Sequence, residues 1–319
     1  MKAIVIHQYG DRSALSLEQI ATPTPGEGEL LVKVFACGVN PVDYKIRSGM
    51  IGLPRSFPSV LGYDVSGRVA EVGSGVRRFK PGDDVFFSGQ ITDNGGYAEY
   101  CVVEENIVSR KPENLSYLEA ATIPLSGQTA WGALFERAGV KKGESVLIHA
   151  GAGGVGSLAI QLAKWKGLTV FTTASQPQHI EMARKFGADH VINYKEEDFV
   201  EVVHQQTNGS GVDAVFDTVG GELFSRNFQA LKIYGRTVCI VEREEPFPLL
   251  EAWFKNATIH TLFMERNGER LDQLAKLVRE DRLKPVVGTT LPLADAARAH
   301  EMVEEGHVGG KVVLVISEN

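Results

Sequence analysis

Residues 145–156 read SVLIHAGAGGVG, and this stretch decides the fold of the chain. The run Val146-Leu147-Ile148 has the composition of a buried strand, and the glycine-rich turn leads into a helical segment, LAIQLAKWKG. Small residues let backbone N–H groups approach a pyrophosphate, and the helix N-terminus adds partial positive charge. Glycine spacing alone would not separate this turn from an ordinary one, since it is not GxGxxG. The flanking strand and helix favour a dinucleotide-binding βα unit.

The same alternation of strands and helices continues beyond this unit. Helices are predicted at 155–166, 177–186, 196–206 and 222–231, each next to short apolar, β-branched runs. Runs of that composition are typical of parallel strands buried on both faces. Residues 1–110 differ, because their short β-runs are broken by Pro-Gly and Gly-Gly pairs, which predicts an irregular barrel. A helical stretch, 116–139, is predicted between the two patterns, with Ser116 as its N-cap.

The composition excludes several classes of protein. The chain has 319 residues, of which 43% are hydrophobic and 23% charged, values of an ordinary globular protein with one large or two smaller domains. Its net charge is −7 and no basic block is present, so no nucleic-acid partner is expected. Three distant cysteines, Cys37, Cys101 and Cys239, indicate a reducing compartment. No leader-like or membrane-spanning segment is seen, so we expect no membrane association and a cytoplasmic location.

Seven segments in one order resemble the medium-chain dehydrogenase/reductase superfamily. They are GVNPVDYKIRSG (38–49), GYDVSGRVAEVGSGV (62–76), KPGDDVF (80–86), GGYAEY (95–100), IPLSGQTAW (123–131), AGAGGVGSLAIQLAK (150–164) and GHVGGKVVLVI (306–316). The resemblance implies an α/β fold with two parts: a GroES-like β-barrel substrate domain (1–123 and 265–319) and a doubly wound, parallel-sheet Rossmann domain that binds NADP (124–264).

The resemblance also bears on the metal. Zinc-dependent alcohol dehydrogenases of the superfamily carry a cysteine and a Gly-His-Glu segment where this chain has Asn40, Tyr63 and Asp64. Their four-cysteine lobe is absent too, and the histidines of this chain are dispersed. We therefore predict that no metal is bound. Without a Lewis acid, a substrate that carries its own activation is favoured, namely a quinone or an α,β-unsaturated carbonyl compound.

Four residues are candidates for the substrate side: Asn40, Tyr44, Lys45 and Tyr63. The resemblance implies that Asn40 faces the nicotinamide end. Tyr63 either donates a hydrogen bond to a substrate oxygen or fills the vacated metal space with its ring. Quinone oxidoreductases of this branch carry tyrosines where this chain has Lys45 and Ile51, whereas several enone reductases carry a lysine there. Quinone and enone substrates therefore both remain open.

The coenzyme prediction rests first on the second strand of the Rossmann pattern. It ends in Ala174-Ser175 without the carboxylate that binds the ribose of NAD, and Tyr194 matches a family tyrosine near the 2′-phosphate, which favours NADPH. Several of the weaker candidates are equally compatible with strand-end packing. The predicted coenzyme-binding residues are Asn40, Thr129, Ala150, Gly151, Gly153, Gly154, Val155, Ala174, Ser175, Tyr194, Val219, Val241, Phe263 and Lys311.

The sequence thus predicts a zinc-independent, NADPH-dependent reductase of quinones or α,β-unsaturated carbonyls. Two alternatives remain: a non-catalytic NADPH-binding or sensor protein of the same fold, and a simple alcohol or aldehyde dehydrogenase. The run ATIHTLFM (257–264) would form an edge strand of the Rossmann sheet. Because an apolar edge strand can pair with a second copy, we expect a homodimer.

Overall fold

A computed structural model describes residues 1–52, 54–241, 249–306 and 308–317. The chain forms two compact units. The first comprises Met1–Gln128, Glu265–Asp281 and Pro285–Asn319, and the second comprises Thr129–Met264 and Arg282–Lys284.

The described residues at the start of the first unit form eight strands and three α-helices. The strands are β1 (Lys2–Ile6), β2 (Ser16–Gln19), β3 (Glu29–Gly38), β4 (Ser59–Val60), β5 (Asp64–Val72), β6 (Asp84–Ser88), β7 (Tyr100–Glu104) and β8 (Val108–Arg110). The helices are α1 (Pro41–Arg47), α2 (Tyr117–Ala120) and α3 (Pro124–Trp131), the last of which continues into the second unit.

The described residues of the second unit alternate between strands and helices. In chain order they are β9 (Ser145–Ile148), α4 (Gly154–Lys166), β10 (Thr169–Ala174), α5 (Pro177–Lys185), β11 (His190–Asn193), α6 (Phe199–Gln206), β12 (Val212–Asp217), α7 (Glu222–Ala230), β13 (Leu231–Cys239), α8 (Leu249–Phe254) and β14 (Thr258–Thr261). The chain then returns to the first unit with α9 (Gly268–Arg279), β15 (Val287–Pro292), α10 (Ala296–Glu305) and β16 (Lys311–Val315).

The sheet of the second unit is parallel, with strand order β11-β10-β9-β12-β13-β14. This is the order of a Rossmann sheet: β10 and β11 follow on one side of β9, and the chain then returns to place β12, β13 and β14 on the other side. Its core holds Leu147, Phe171, Val215 and Phe228, which are buried because both faces of the sheet carry helices. The predicted doubly wound parallel sheet is confirmed.

The first unit is built from two sheets. One has three strands in the order β2-β1-β4, and the other has seven, in the order β15-β16-β3-β5-β6-β8 with β7 also paired to β3. In β3, every residue from 30 to 37 except Lys33 is buried, because β5, β7 and β16 all pair with this strand. The strand ends at Gly38, opposite Asp64 of β5, and this meeting point positions the polar residues described below.

The predicted helical stretch 116–139 is divided in the structure. Ser116 is the N-cap of α2, as expected: its hydroxyl accepts the N–H of Glu119, and the Glu119 carboxylate accepts the N–H of Ser116. α2 nevertheless stops at Ala120, and α3 starts at Pro124. A proline disfavours helical geometry in the residue before it but suits the first position of a new helix. Residues 132–137 then widen into a π-helical turn.

Cys37, Cys101 and Cys239 all lie in the described part of the chain. All three cysteines are buried free thiols. None of the helices there has the length and apolar character needed to cross a bilayer.

Candidate functional site

The glycine cradle, residues 150–156, is held tightly against the second unit's sheet. The N–H of Gly151 donates to a β10 carbonyl at 3.0 Å, and that of Gly153 donates to the carbonyl of Ala150 at 3.0 Å. Ala150 adopts a left-handed φ of 52°. A Cβ on Gly151 would collide with the side chain of Thr172, and one on Gly156 would collide with the Ala150 carbonyl. Glycine is therefore required at both positions by the close approach of the backbone.

The cradle ends at an uncapped helix. Gly153 is the N-cap of α4 with extended backbone angles, and no side chain caps its N–H groups. Gly154 and Val155 form the first turn. The unpaired N–H groups and the positive end of the helix dipole make such a turn a good binding place for a phosphate anion.

The second strand end lies next to the cradle in the same sheet. β10 ends at Ala174, whose register partner on β11 is Asn193, so that Ser175 and Tyr194 follow side by side. The Ser175 hydroxyl donates to the Tyr194 hydroxyl oxygen at 3.0 Å. Tyr194 is 48% exposed. Two neutral hydroxyl groups, rather than a carboxylate, therefore mark this strand end.

The remaining predicted coenzyme residues of the second unit follow other strands. Three of these residues come just after parallel strands: Val219 after β12, Val241 after β13 and Phe263 after β14. They therefore lie at the carboxyl end of the sheet, the end that also carries the cradle. Val219 and Phe263 are exposed. Thr129 is instead buried within α3, the helix where the second unit begins.

A buried network holds the loop after β12. Asp217 accepts the N–H of Val219 at 2.8 Å and the side-chain amide of Asn227 at 2.8 Å. The amide oxygen of Asn227 can only accept, so Nε2 of His149, at 2.8 Å, donates to it. Burial lowers the pKa of His149, which favours the neutral ring. Sequence reasoning missed these three polar residues because each lies in, or directly after, an ordinary strand or helix.

The polar cluster of the first unit consists of Asn40, Asp64 and Lys311, which lie at or just beyond the ends of β3, β5 and β16. The Lys311 ammonium donates to Asp64 at 2.9 Å and to the side-chain oxygen of Asn40. The Asn40 amide nitrogen donates to Asp64 at 3.0 Å, and the other Asp64 oxygen accepts the N–H of Leu125 at 2.6 Å. All three side chains of the cluster are buried. The structure thus brings together two predicted residues, Asn40 and Lys311, around a carboxylate.

A second buried series of hydrogen bonds adjoins this cluster. Asp43 accepts the N–H of Asn40 at 2.7 Å and the hydroxyl of Tyr97 at 2.9 Å. Tyr97 lies 3.2 Å from Nε2 of His300, whose Nδ1 lies 3.1 Å from the Arg47 guanidinium. Because a guanidinium can only donate, Nδ1 accepts and Nε2 carries the proton. Sequence reasoning missed His300 and Tyr97, since nothing local marks them.

Burial shifts the pKa of two groups in this series of hydrogen bonds, Asp43 and His300. It raises the pKa of Asp43 to about 7, and together with the Arg47 charge it lowers the pKa of His300 to about 3. The imidazole is therefore neutral at neutral pH. One signal for Asp43 was available in the sequence, because Asn40-Pro41-Val42-Asp43 has the spacing of a helix N-terminus with an acidic third residue.

Tyr63 occupies a closed position. The side chain is completely buried, its oxygen accepts from Arg55 at 2.7 Å, and its hydroxyl lies 3.3 Å from the carbonyl of Ile91. Burial also raises the pKa of the phenol. Both hydrogen-bonding functions of Tyr63 are thus engaged by the protein, which favours the ring-filling interpretation over donation to a substrate.

Tyr44 and Lys45 lie on α1, directly after the polar cluster. Both side chains are half-buried. The helix is fixed at its start, since Pro41 occupies the first turn and the Asp43 carboxylate binds the N–H of the N-cap residue Asn40. Two proton donors are therefore carried by a short, firmly anchored helix.

The donor set at the positions that correspond to zinc ligands in other members of the superfamily does not suit zinc. Zinc sites in proteins use thiolate, imidazole or carboxylate ligands. Here Asn40 offers an amide, Tyr63 a hydrogen-bonded phenol, and Asp64 is paired with an ammonium. Among the described residues, no group of three or more histidine, cysteine, aspartate or glutamate side chains is placed to hold a metal ion.

Two family models match the chain. Residues 26–113 match "Alcohol dehydrogenase GroES-like domain", and residues 186–314 match "Zinc-binding dehydrogenase". Among curated proteins, human quinone oxidoreductase is 33% identical over 99% of this chain and 98% of its own length. A 2-methylene-furan-3-one reductase of Solanum lycopersicum is 36% identical over 98% of this chain and 79% of its own length.

Solved structures agree with these relatives over nearly the whole chain. A structure described as an NAD-dependent alcohol dehydrogenase has a TM-score of 0.94 at 34% identity, covering 99% of this chain and all of its own. The quinone oxidoreductase of Coxiella burnetii has a TM-score of 0.89 at 40% identity, covering 99% of both chains. A mycobacterial protein complexed with NADPH has a TM-score of 0.90 at 33% identity, covering 99% and 100%. With its GroES-like and Rossmann domains, the chain belongs to the medium-chain dehydrogenase/reductase superfamily of oxidoreductases.

Proposed function

We propose that this protein transfers hydride from NADPH to quinones or α,β-unsaturated carbonyl compounds without zinc. One observation carries the proposal: the chain keeps a complete glycine cradle, but the positions of the zinc ligands hold an amide, a phenol and a lysine-paired carboxylate. We assign residues 124–264 to the coenzyme, and residues 1–123 and 265–319 to the substrate. Relatives named as a quinone oxidoreductase and an enone-type reductase support this class of acceptor.

The choice of NADPH rests on the strand end at Ser175. A carboxylate there would bind the ribose hydroxyls of NADH and repel a 2′-phosphate, whereas the hydroxyls of Ser175 and Tyr194 can both donate hydrogen bonds to that phosphate. The mycobacterial complex with NADPH supports this choice. The structure described as NAD-dependent points to NADH, so both coenzymes belong in the test.

Bound NADPH would supply the hydride, and the chain would supply binding, orientation and a proton donor. We assign the pyrophosphate to the α4 N-terminus and the 2′-phosphate to Ser175 and Tyr194. Hydride addition to a conjugated acceptor places negative charge on an oxygen, and a proton must follow. Lys45 and Tyr44 are the donors that we assign to this step, because both are held on the anchored helix α1.

Zinc-free chemistry disfavours simple alcohols and aldehydes as substrates. A metal ion polarises an unactivated carbonyl, a contribution of several kcal/mol that the side chains here replace only in part. A quinone or enone needs less help because the charge spreads through its conjugated system. A protein that binds NADPH without turnover remains the second candidate, since the cradle alone serves both functions equally well.

Steady-state assays test these proposals directly. We expect NADPH oxidation with 1,4-naphthoquinone or an enone such as 1-octen-3-one, and little oxidation of ethanol or butanol by NADP. Brisk alcohol oxidation that a chelator abolishes would refute the proposal. Tight NADPH binding with no turnover on either acceptor class would favour the binding protein.

We also propose a homodimer formed through the second unit's sheet. β14 is an edge strand of the six-stranded sheet. Large apolar side chains are exposed on nearby elements: Ile233, Leu249, Leu250, Trp253 and Phe254. An exposed apolar surface beside an unpaired edge is suited to a second copy of the same chain. Light scattering at micromolar concentration should give twice the monomer mass of 34.7 kDa.

The buried free thiols support the proposed cytoplasmic location, because reduced cysteines persist in a reducing compartment.

A further inference from the structure

We infer that His149 is a positioning residue for the coenzyme, because its side chain joins the glycine cradle to the loop after β12, residues 218–221. The inference rests on the proposed binding of a nicotinamide coenzyme and deepens it. It starts from the place of His149 in the sheet. The residue directly follows β9, the strand between β10 and β12, and directly precedes Ala150 of the cradle. A side chain at this point can reach both neighbouring strand ends.

On the cradle side, the connection runs through the hydroxyl of Thr173 in β10. This oxygen accepts the N–H of Ala150 at 3.1 Å and lies 3.2 Å from Nδ1 of His149. Ala150 is the first residue of the cradle and has a left-handed φ of 52°, a conformation that residues other than glycine keep only where surrounding contacts hold them. The hydrogen bond to Thr173 is one of these contacts. The Thr173 hydroxyl therefore helps to fix the start of the cradle.

On the other side, the connection runs through Asn227 to the loop after β12. Nε2 of His149 donates to the Asn227 amide oxygen, and the Asn227 amide nitrogen donates to Asp217, both at 2.8 Å. Asp217 in turn accepts the N–H of Val219, also at 2.8 Å. The Thr218 hydroxyl adds a direct hydrogen bond to the carbonyl of His149 at 2.9 Å. The loop is therefore held by His149 both directly and through Asn227.

The hydrogen bonds of this series have fixed directions. The carboxylate of Asp217 can only accept, so Asn227 turns its NH2 group towards it and its oxygen towards the histidine. Nε2 therefore carries the proton, and Nδ1 of the neutral ring accepts the hydroxyl proton of Thr173. These four side chains are buried, so bulk solvent does not compete for their hydrogen bonds. An imidazole supplies a donor and an acceptor on one rigid ring, whereas a phenyl ring of similar shape supplies neither.

This arrangement sets the distance between two parts of the coenzyme site. The proposed function assigns the diphosphate to the cradle and the 2′-phosphate to the end of β10, on one side of β9. The other half of a dinucleotide then extends towards β12, on the opposite side of the same strand. A ligand that spans both parts needs them correctly spaced, but a ligand that contacts only the cradle does not. His149 therefore contributes more to binding of the whole coenzyme than to binding of its ADP half.

Coenzyme affinity in matched variants tests the inference. His149→Phe keeps a ring but removes both nitrogens, and Thr173→Val removes only the hydroxyl, for which Thr173→Ser is the matched control. The ligand is NADPH or NADH, whichever the unchanged protein binds more tightly in a nicotinamide fluorescence titration. We expect it to bind at least about tenfold more weakly to the Phe and Val variants and within about threefold of normal to the Ser variant. ADP, measured by displacement, should bind all four proteins within about threefold of one another.

Three results would overturn the inference: normal coenzyme affinity in His149→Phe, equal losses for coenzyme and ADP, or equal losses in Thr173→Val and Thr173→Ser. A purely structural role would give the second of these. If the unchanged protein binds neither coenzyme, the proposed function is refuted and the inference falls with it.

Urea midpoints show whether each variant is folded. If His149→Phe does not fold, the Val and Ser variants of Thr173 decide, because the same connection runs through that hydroxyl. If it folds, the double variant His149→Phe/Thr173→Val should bind the coenzyme within about threefold of the weaker single variant, since both changes break one connection. Losses that multiply would indicate two independent effects and would also overturn the inference.

Discussion

Placing a carboxylate at the end of β10 should reverse the coenzyme preference. Ser175→Asp puts a negative charge where a hydroxyl now lies 3.0 Å from the Tyr194 hydroxyl oxygen. If these two hydroxyls hold the 2′-phosphate of NADPH, the new carboxylate meets that phosphate at close range. The same carboxylate can accept hydrogen bonds from the free ribose hydroxyls of NADH.

The size of the effect follows from the exposure of this strand end. Two unit charges about 4 Å apart repel by roughly 1 kcal/mol in water and roughly 4 kcal/mol at an effective dielectric constant of 20. Ser175 is half-buried and Tyr194 is 48% exposed, so a value between these limits applies. About 2 kcal/mol corresponds to a loss of roughly 30-fold in kcat/KM for NADPH.

The assay compares kcat/KM for NADPH and NADH with one saturating quinone. Ser175→Asn is the matched control, because it has nearly the same shape without the charge, and Tyr194→Phe removes only the partner hydroxyl. We expect the ratio of the two efficiencies to change strongly in the Asp variant and by less than about threefold in the Asn variant. An unchanged ratio in Ser175→Asp would show that the 2′-phosphate does not lie at this strand end.

Three further predictions concern other parts of the chain. Tyr63→Phe removes a buried, fully engaged hydroxyl, so it should lower the unfolding free energy by about 1–2 kcal/mol and change kcat on enones by less than about threefold; a tenfold fall in kcat with unchanged stability would restore it as a substrate donor. Gly156→Ala should weaken NADPH binding at least about tenfold in a fluorescence titration, because its Cβ collides with the cradle backbone, whereas Gly52→Ala, which meets no atom within 4 Å, should bind normally. The pKa of His300 is lowered to about 3 in the folded protein, against about 6.5 in the unfolded chain. The contribution of the neutral ring to the free energy of unfolding is therefore complete above about pH 6.5. It is lost as the pH falls towards 3, an effect of at most about 5 kcal/mol. Urea midpoints measured across that range should fall less steeply for His300→Gln, and parallel curves for the two proteins would contradict the prediction.

The Rossmann half of the chain was predictable almost element by element. The predicted helices 155–166, 177–186, 196–206 and 222–231 differ from the observed helices by three residues or fewer at any end. Apolar runs flanked by glycine and by amphipathic helices leave few alternatives, because each element must bury a defined face. The prediction was wrong for 116–139, where Pro124 and the π-helical turn divide one expected helix. There the local signal for a helix was correct, but its continuity was not.

The polar residues of the first unit were predictable only as separate candidates. Asn40, Tyr63 and Lys311 came from resemblance to a family, and their present partners did not. Lys311 meets Asn40 across 271 residues and Asp64 across 247, and Tyr97 meets His300 across 203. No periodicity carries such information, since a polar residue at a strand end has the same local pattern whether it faces solvent or a buried charge.

The sequence by itself determined the order of elements and the glycine cradle, because these depend on residue type and short-range spacing. Resemblance to the superfamily added that zinc-type ligands are missing at Asn40 and Tyr63. Only the tertiary structure decided that the hydroxyl of Tyr63 is taken by Arg55, and that a lysine near the C-terminus balances the charge of Asp64. The physical reason is that a buried charge must find a partner wherever the fold brings one, and the pairing of β3 with β5 and β16 brings it from far along the chain.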